Sequence, residues 1–567
     1  MSSSLKKRWL QFNRREKILS LVFTLGFFVG LILLFIFLVN QITAPIPKIG
    51  GKWRIAIVGE PRFINPVLNQ NNDVDRNLEE LVYNGLYKID GRGGLIPDLA
   101  DHEEISPDGK IYNIFLKEGV LWHDGEELTA DDIVFTIETI QNSDYQSPLR
   151  LNWQGVAVEK LNKYLVRFTL KNPYEPFLQN LTLKILPKHI WENIEPGNFP
   201  LAQYNLKPIG TGPYLFEKFQ KNDSGKILSY TLESNRRYFA GEPNLKTVIY
   251  YFFDDFNQAL KSLLRHQVDS LINLANNQAN LLAHKNQWQI KKLILPRYYA
   301  IFFNTTKNQI TADKKVREAL ALAINKPLLI EKILNNQAEL INTPIGQGIF
   351  GYQPELNKNE FDLNRARQIL SEENWQDKNQ NGILEKTYPK QKTETELTIT
   401  ITLPDNQQLQ KVAEFIKDNW TQLGVKTELK ILPLTDLEKN AIRPRNYEAL
   451  LFGNIIGQDP DLFAFWHSSQ VNDPGLNLTL YQNQKLDSLL EETRQINNQS
   501  KRLENLKAIQ NILLTDRPAI FLYNPYYLFA ETKKIKGQQI NIANYPSERL
   551  SDIHNWYFYT RRVFKLR

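Results

Sequence analysis

The chain of 567 residues contains no cysteine, and its seven histidines are scattered. The lack of cysteine excludes disulfides, thiolate metal sites, iron–sulfur clusters, thiol nucleophiles and the lipid-modified cysteine of a bacterial lipoprotein. No two histidines are three or four residues apart, so no local zinc-binding pattern is present. The motifs GxSxG, HExxH and GxxxxGK[ST] are also missing. We therefore expect no catalytic residues, no metal and no cofactor.

Positive charge is concentrated at the N-terminus. The formal net charge is +7, and residues 1–17 contain six basic side chains against one acidic side chain. Nucleic-acid-binding domains instead carry their basic charge on the folded surface, because neutralising phosphates supplies much of their affinity. The charge pattern therefore predicts a basic tail and argues against nucleic acid as a partner.

A long apolar run follows this tail. Residues 18–39 are 22 residues without a charge, which as a helix with a rise of ~1.5 Å per residue would cross a ~30 Å hydrocarbon layer. Thr43 and Ala44 leave removal of the run as a signal peptide open as the alternative. We predict an uncleaved membrane-spanning helix, with residues 1–17 in the cytoplasm and the rest of the chain outside. Residues 40–52, rich in proline and glycine, are expected to form an extended linker.

Strand-like and helix-like patterns alternate beyond this linker. Residues 54–58 are typical of a strand, and residues 156–170 and 213–233 are typical of hairpins around polar turns. Apolar residues recur with helical spacing over 406–423, which predicts an amphipathic helix. This mixture predicts an α/β or α+β fold, and the chain is long enough for two or three domains.

Two further patterns point to ligands. Residues 377–385, DKNQNGILE, resemble a calcium loop, but its twelfth position, which should supply a bidentate carboxylate, is Tyr388. We interpret this segment as a structural turn, with weak calcium binding as the alternative. Aromatic residues beside polar turns at 451–469 and 521–527 combine an apolar wall with a few polar groups. Ligand clefts have this composition, so these segments favour a binding function.

Several segments spread over residues 53–557 carry a recognisable pattern. The longest is PDLADHEEISPDGKIYNIFLKEGVLWHDGEELTADDIVFTIE at 97–138. The others include RFINPVL (62–68), PIGTGPYLF (208–216), RRYFAGEPNL (236–245), VREALALAINK (316–326) and QLGVKTELK (422–430). Taken in this order, they resemble the family 5 extracellular solute-binding proteins, which are the peptide- and nickel-binding receptors of ABC importers.

The resemblance implies an α/β, two-lobed clamshell like that of the periplasmic binding proteins, with an extra subdomain. One lobe would comprise residues 53–292 and 516–567, with the subdomain near 87–205, and the other lobe would comprise 293–515. Such receptors close around a ligand by hinge motion. The chain would be a monomeric, membrane-anchored extracytoplasmic receptor, not an enzyme. It would pass an oligopeptide or similar solute to an ABC permease that has a separate ATPase.

The resemblance also implies ligand-binding residues on both sides of the cleft. These residues are Glu60, Asn65, Phe452, Gly453, Asn454, Gln458, Asp459 and Tyr523. Peptide-binding relatives place an aspartate for the ligand's α-ammonium where this chain has Ile456. Either Glu60, Asp459 or Asp461 replaces that aspartate, or the ligand is not held by a free amine. A nickel chelate or an oligosaccharide therefore stays open as the ligand, and a surface sensing module without transport stays open as the function.

Overall fold

Two mixed β-sheets dominate the fold in the computed structural model, which describes residues 13–68, 72–389 and 391–565. Most of the predicted basic tail lies outside these residues. The seven-stranded sheet has the strand order Trp288–Leu293, Tyr527–Thr532, Ser270–Leu271, Lys52–Val58, Thr247–Phe253, Ile227–Ser234, Tyr214–Lys221. The six-stranded sheet has the order Ala338–Leu340, Ala519–Pro525, Arg297–Phe303, Ala449–Ile455, Thr398–Pro404, Lys426–Leu432. We call the unit around the first sheet the first lobe and the unit around the second sheet the second lobe.

Smaller sheets complete the described strands. A four-stranded antiparallel sheet has the order Ala100–Ile105, Ile111–Leu116, Leu165–Leu170, Val156–Asn162. The two-stranded sheets pair Thr43–Lys48 with Tyr559–Phe564, Tyr87–Ile89 with Leu95–Pro97, and Glu385–Lys386 with Thr395–Glu396. The hairpins predicted over 156–170 and 213–233 are both present. Each has its polar turn between two alternating strands, as the period-two pattern requires.

The α-helices lie around these sheets. Their bounds are Arg14–Ile42, Asp73–Val82, Ala130–Gln141, Arg150–Trp153, Phe177–Asn180, Lys188–Trp191, Phe256–Leu264, Asn276–Ala283, Gln309–Ala312, Lys314–Leu322, Lys326–Lys332, Leu363–Glu372, Gln407–Leu423, Leu434–Leu437, Phe463–Trp466, Gln484–Gln495 and Gln499–Asp516. The helix predicted over 406–423 is confirmed: Asn406 caps its start, and Gly424 ends it with φ +90°. A positive φ favours glycine because a Cβ would be strained there.

Each lobe has its own apolar core. In the second lobe the helix Gln407–Leu423 packs its apolar face against the six-stranded sheet. Trp420 is fully buried there, and its Nε1–H donates to Leu320 O at 3.0 Å. Burying one large apolar side chain contributes about 1.5–3 kcal/mol, so this face holds the helix in place. The four-stranded sheet does not have a core of its own, since its buried residues belong to the first-lobe cluster.

The chain crosses between the lobes twice. The first crossing passes through Pro296, close to the expected boundary. The second lies between Pro525 and Tyr527, so strand Ala519–Pro525 belongs to the second lobe rather than to the first lobe expected from residue 516 onward. Within the apolar run 519–530, Asn524 and Pro525 form a local break, and the chain changes sheet directly after them. Pairing with Arg297–Phe303 assigns the strand before the break to the second lobe.

The N-terminal helix spans Arg14–Ile42, and none of its side chains is buried. Within the described residues it is long and apolar enough to cross a membrane. The extended linker predicted for 40–52 is replaced in part by strand Thr43–Lys48, which pairs antiparallel with Tyr559–Phe564. We call this pair the terminal ribbon. Strand Thr43–Lys48 contains Pro45 and Pro47, which have no backbone N–H. Because they are two residues apart, both lie on the same edge of the strand, and the other edge can pair.

Candidate ligand-binding site

Hydrogen bonds join the two crossings between the lobes to the six-stranded sheet. Asn524 Nδ2 donates to Leu295 O at 3.0 Å, and Ile456 N donates to Pro296 O at 2.8 Å. These bonds tie the interior strand Ala519–Pro525 and the end of Ala449–Ile455 to the connecting chain. The crossings are therefore fixed to the second lobe, and a hinge between the lobes would lie beside them.

On the first-lobe side, a cavity of about 650 Å³ opens beside strands Lys52–Val58 and Thr247–Phe253. These two strands are parallel, and the cavity lies at their carboxyl ends, where ligands commonly bind in α/β sheets. Glu60 and Asp73 line it. The half-buried Glu60 carboxylate makes no hydrogen bond to any described residue, and only the Glu60 carbonyl accepts a bond, from Asn72.

Arg297 begins the first strand of the second lobe, directly after the first crossing. Burial lowers the pKa of its guanidinium, while Tyr299, Tyr527, Asp73 and Tyr523 act in the opposite direction. Its Nε is buried and has no hydrogen-bond partner among the described residues. An unpaired buried cation is costly, so this group is suited to an anionic partner that enters from outside the chain.

The second-lobe wall next to Arg297 is aromatic. The rings of Tyr299 and Tyr523 stack with centroids 5.3 Å apart and planes 25° apart. Gly453 is paired with Tyr299 across the sheet, and a Cβ on Gly453 would lie 3.0 Å from Tyr299 Cε1. Gly453 thus makes room for this ring. The predicted residues Gly453 and Tyr523 are therefore brought to the same wall as Arg297.

Other predicted residues make bonds within their own lobe. Asn65 is fully buried: its Nδ2 donates to Asn205 Oδ1 at 3.0 Å, and its Oδ1 accepts from Val67 N at 2.9 Å. Asn454 is nearly buried and its Nδ2 donates to Tyr298 Oη at 3.1 Å. These contacts are sufficient to explain both asparagines as structural residues, and a role in ligand binding for them stays a prediction. The half-buried Phe452 packs against the second-lobe core.

Gln458 and Asp459 lie where the second lobe touches the first, away from the 60–65 loop. Gln458 N donates to Asn544 Oδ1 at 2.9 Å. With its side-chain amide oriented to satisfy both neighbours, Gln458 donates to Gly93 O and accepts from Ala543 N. The side chain of Asp459 forms an ion pair with Arg502. Gln458 therefore belongs to an interlobe contact in this structure, whereas Asp459 pairs with an arginine of its own lobe.

A second interlobe contact involves residues that sequence reasoning did not single out. Arg502 is buried, and it also forms an ion pair with Glu175 of the first lobe, at 2.5 Å. Glu175 N donates to Arg494 O at 2.9 Å. Burial and the nearby Asp459 raise the pKa of Glu175 to about 7. A cavity of about 700 Å³ adjoins this contact and is lined from both lobes, by Tyr174 and Phe463 among others.

The calcium-like segment 377–385 forms a tight loop. Asp377 Oδ1 and Oδ2 accept the N–H groups of Asn381 and Gly382, at 3.1 and 2.9 Å. Asn379 Oδ1 also accepts from Asn381 N. Among the described residues, no group of three or more histidine, aspartate or glutamate side chains is placed to hold a metal ion. The bonds suffice for the turn interpretation, and calcium binding there stays untested.

Comparison with known proteins identifies the family. A model described as bacterial extracellular solute-binding proteins, family 5 Middle, matches residues 94–474, about two-thirds of the chain. The chain belongs to this family. The oligopeptide-binding protein AppA of Bacillus subtilis is 28% identical over 521 residues, which cover 90% of this chain and 92% of the relative.

Solved structures of family 5 solute-binding proteins have the same fold. AppA from Bacillus subtilis, solved with a nonapeptide, has a TM-score of 0.66 and covers 90% of this chain and 100% of its own. NikZ from Campylobacter jejuni, solved with Ni(L-His), is 27% identical, has a TM-score of 0.68 and covers 89% of this chain and 99% of its own. The expected family and α/β binding-protein fold are confirmed.

Two functional candidates of this family 5 protein, Arg297 and Glu175, were missed by sequence reasoning. Arg297 begins the apolar run RYYAIFF, in which a lone arginine has no motif around it. Glu175 follows a short Asn-Pro-Tyr segment that resembles any loop. The position of Arg297 directly after the predicted crossing at Pro296 was the one available signal, because both walls of the cleft meet at the crossings.

Proposed function

We propose that this chain is the receptor of an ABC importer and that it captures an oligopeptide or a similar solute bearing a carboxylate between its lobes. Family membership and the nonapeptide bound to the similar AppA support a peptide ligand. The observation that carries the finer proposal is that the buried Nε of Arg297, directly after the first crossing, has no hydrogen-bond partner among the described residues. Family 5 proteins are binding proteins, and we assign no reaction to this chain.

Arg297 would bind the carboxylate. A guanidinium presents a planar fork of donors that matches a carboxylate in two parallel bonds. Tyr299 beside it, whose ring stacks on the buried Tyr523, would cover the apolar part of the ligand. Since Arg297 lies at the hinge between the lobes, a ligand held there contacts both lobes and favours their closed arrangement.

Glu60 would bind the ligand's amine. The aspartate that performs this role in relatives is replaced by Ile456, which is buried and apolar. Of the three carboxylates that could replace it, Asp459 is paired with Arg502 and Asp461 with Arg494. Glu60 has no such partner among the described residues and lines the first-lobe cavity. We therefore assign the amine to this cavity.

The helix Arg14–Ile42 would hold the receptor on the outer surface of the membrane, as an uncleaved single span. The chain lacks the cysteine to which a lipid anchor could be attached. The permease and its ATPase would be separate chains, and the receptor would act as a monomer. The N-terminal side of the helix would face the cytoplasm, since the basic residues lie there.

A nickel chelate is the second candidate ligand. NikZ, solved with Ni(L-His), supports it. The chelating histidine of such a complex carries a carboxylate group that a guanidinium also binds. Arg297 therefore fits both ligand classes, and the choice between them is made by binding measurements.

A comparison of free and C-terminally amidated peptides tests the proposal. We would measure thermal shifts and isothermal titration of the full chain in detergent against di- to decapeptides in both forms, and against Ni(L-His). Free peptides should stabilise the protein, by about 2.7 kcal/mol at 100 times the dissociation constant. Each amidated peptide should bind about 10- to 100-fold more weakly, because a charged hydrogen bond of about 1.5–3 kcal/mol is lost.

Variants locate the effect. Arg297→Ala should lose the preference for free carboxylates, and Arg297→Lys should retain part of it. Arg236→Ala is the matched control, since its side chain is 80% exposed and distant in sequence from both crossings. Equal binding of free and amidated peptides would refute the role of Arg297. No response to any peptide, with a response to Ni(L-His), would refute the peptide ligand.

A further inference from the structure

The C-terminal strand meets the last turn of the N-terminal helix. Lys565 N donates to Ile42 O, the last residue of the anchor helix, at 2.9 Å. Arg562 Nε donates to Thr43 Oγ1 at 2.8 Å, and its guanidinium also donates to Asn40 Oδ1. Together with the ladder of the terminal ribbon, these bonds attach the C-terminal strand directly to the end of the helix.

The C-terminal strand supplies a charge that the helix lacks. The last turn of Arg14–Ile42 contains no basic residue. The carbonyl groups at a helix C-terminus carry a partial negative charge, and a cation beside them contributes about 0.3–1 kcal/mol. Arg562 places its guanidinium at this end although it is 522 residues beyond Asn40 in sequence. The ribbon is therefore bonded to the helix as well as following it in the chain.

The register of the ribbon sets the height of its side chains relative to a membrane. The apolar run ends at Val39, and Ile42 is about 4–5 Å further along the helix axis. Phe564 is paired with Thr43, the residue directly after Ile42. Phe564 is therefore at the level of the boundary between the hydrocarbon core and the lipid headgroups. Its side chain is 76% exposed. Exposed aromatic rings of membrane proteins are enriched at this level.

Basic side chains lie beside this ring. Arg561, Arg562 and Lys565 are all exposed. Juxtamembrane basic residues are attracted to anionic lipids by about 1 kcal/mol each near the surface. Tyr559, at the other end of the strand, is about 17 Å from the Phe564 level if the ribbon stands upright. The helix end of the ribbon is thus the part with both an aromatic ring and a cluster of positive charge.

We propose that the terminal ribbon docks on the membrane: Phe564 lies in the interfacial layer beside the anchor helix, and the neighbouring basic residues bind phosphate groups of anionic phospholipids. The ribbon then holds the receptor at a fixed height, whereas an extended linker of a dozen residues would let it range over about 40 Å. This proposal rests on the anchoring proposed above. It adds the C-terminal strand as a second attachment.

A single-cysteine probe tests this in the full chain, which has no cysteine of its own. Lys565→Cys would be labelled with an environment-sensitive fluorophore after reconstitution into phosphatidylglycerol-containing vesicles, with a quencher attached to the lipid near the headgroup. We expect strong quenching at this position. Thr560→Cys, about 17 Å along the strand, should be quenched less. Leu201→Cys, 81% exposed and in the first lobe, should not be quenched.

Lipid and sequence changes separate the parts of the proposal. In the labelled background, Phe564→Ser and the double change Arg561→Glu with Arg562→Glu should each reduce quenching, as should replacing phosphatidylglycerol by phosphatidylcholine. A retained helix with quenching at position 565 equal to that at 201 would overturn the docking. Equal quenching in both lipids would overturn the headgroup contact. Intact mass showing loss of residues 1–42 would overturn the anchoring itself.

Discussion

The ion pair between Glu175 and Arg502 makes contact between the lobes depend on pH. Burial raises the pKa of Glu175 to about 7 in the contact arrangement, and the neighbouring Asp459 acts in the same direction while Arg502 opposes it. When the lobes separate, Glu175 enters water and its pKa returns toward 4.5. The contact arrangement therefore binds a proton more tightly than the separated one. Contact should be favoured below about pH 5 and weakened as the pH rises toward 7.

The size of the effect follows from this shift. A change from 4.5 to about 7 corresponds to at most about 3 kcal/mol between the two protonation states. The side chain of Glu175 is 26% exposed, so solvent screening reduces the figure to about 2 kcal/mol. This is about a 30-fold change in the ratio of contact to separated lobes between about pH 5 and pH 8.

Single-molecule energy transfer measures that ratio. Fluorophores would be placed at Leu201→Cys in the first lobe and Leu434→Cys in the second, both exposed and in a chain without native cysteine. The native chain should show fewer contacting molecules at about pH 8 than at about pH 5. Glu175→Gln keeps the size of the side chain and cannot ionise. It should therefore hold the contact population constant across this range.

A surface carboxylate provides the matched control. Glu159→Gln removes the charge of a 58% exposed side chain that pairs only with Arg167 within the first lobe, and it should leave the pH response unchanged. The reasoning is refuted if transfer efficiency in the native chain is the same at both pH values. It is also refuted if Glu175→Gln keeps the full pH response.

Three further predictions concern stability. Gly210→Ala should prevent folding of the first lobe, because a Cβ at this position would lie 1.9 Å from Val82 O. Gly197→Ala is the control: Gly197 has open space around it, so this change should leave soluble yield and melting temperature unchanged. Burial lowers the pKa of Lys326 to about 7, so above that pH the folded protein binds one proton fewer than the unfolded chain. The free energy of unfolding, measured by urea titration, should therefore rise between about pH 7 and pH 10, and Lys326→Met should remove this rise. If 377–385 is a structural turn, about 1 mM calcium should not shift the melting temperature, and a calcium-specific increase would contradict that interpretation.

Local patterns were reliable where an element is decided by its own residues. The helix Gln407–Leu423 and the hairpin over 156–170 were predicted because burial of one face repeats with a fixed period. The apolar N-terminal helix is also a local property, since length and lack of charge suffice to predict it. The order of matching segments along the chain predicted the family, and with it the two-lobed architecture.

The sequence placed Asn65 and Asn454 among the candidate ligand-binding residues but could not show their hydrogen-bond partners. Both amides are bonded within their own lobe, and their role in ligand binding stays a prediction. Arg297 has no motif and was found from its missing partner. A buried hydrogen-bonding group without a partner can be recognised only when the positions of all neighbouring groups are known.

The sequence by itself predicted an apolar N-terminal helix long enough to span a membrane, the alternating strands and helices, and the family. The tertiary structure decided three things: that the second crossing follows Pro525, that Glu175 meets Arg502, and that the segment after the anchor is a strand rather than a linker. The partners in these contacts are separated by hundreds of residues. The periodic burial of a helix or strand depends on residues that are close together in the chain. Contacts between distant segments form only after the intervening domains have folded and brought those segments together.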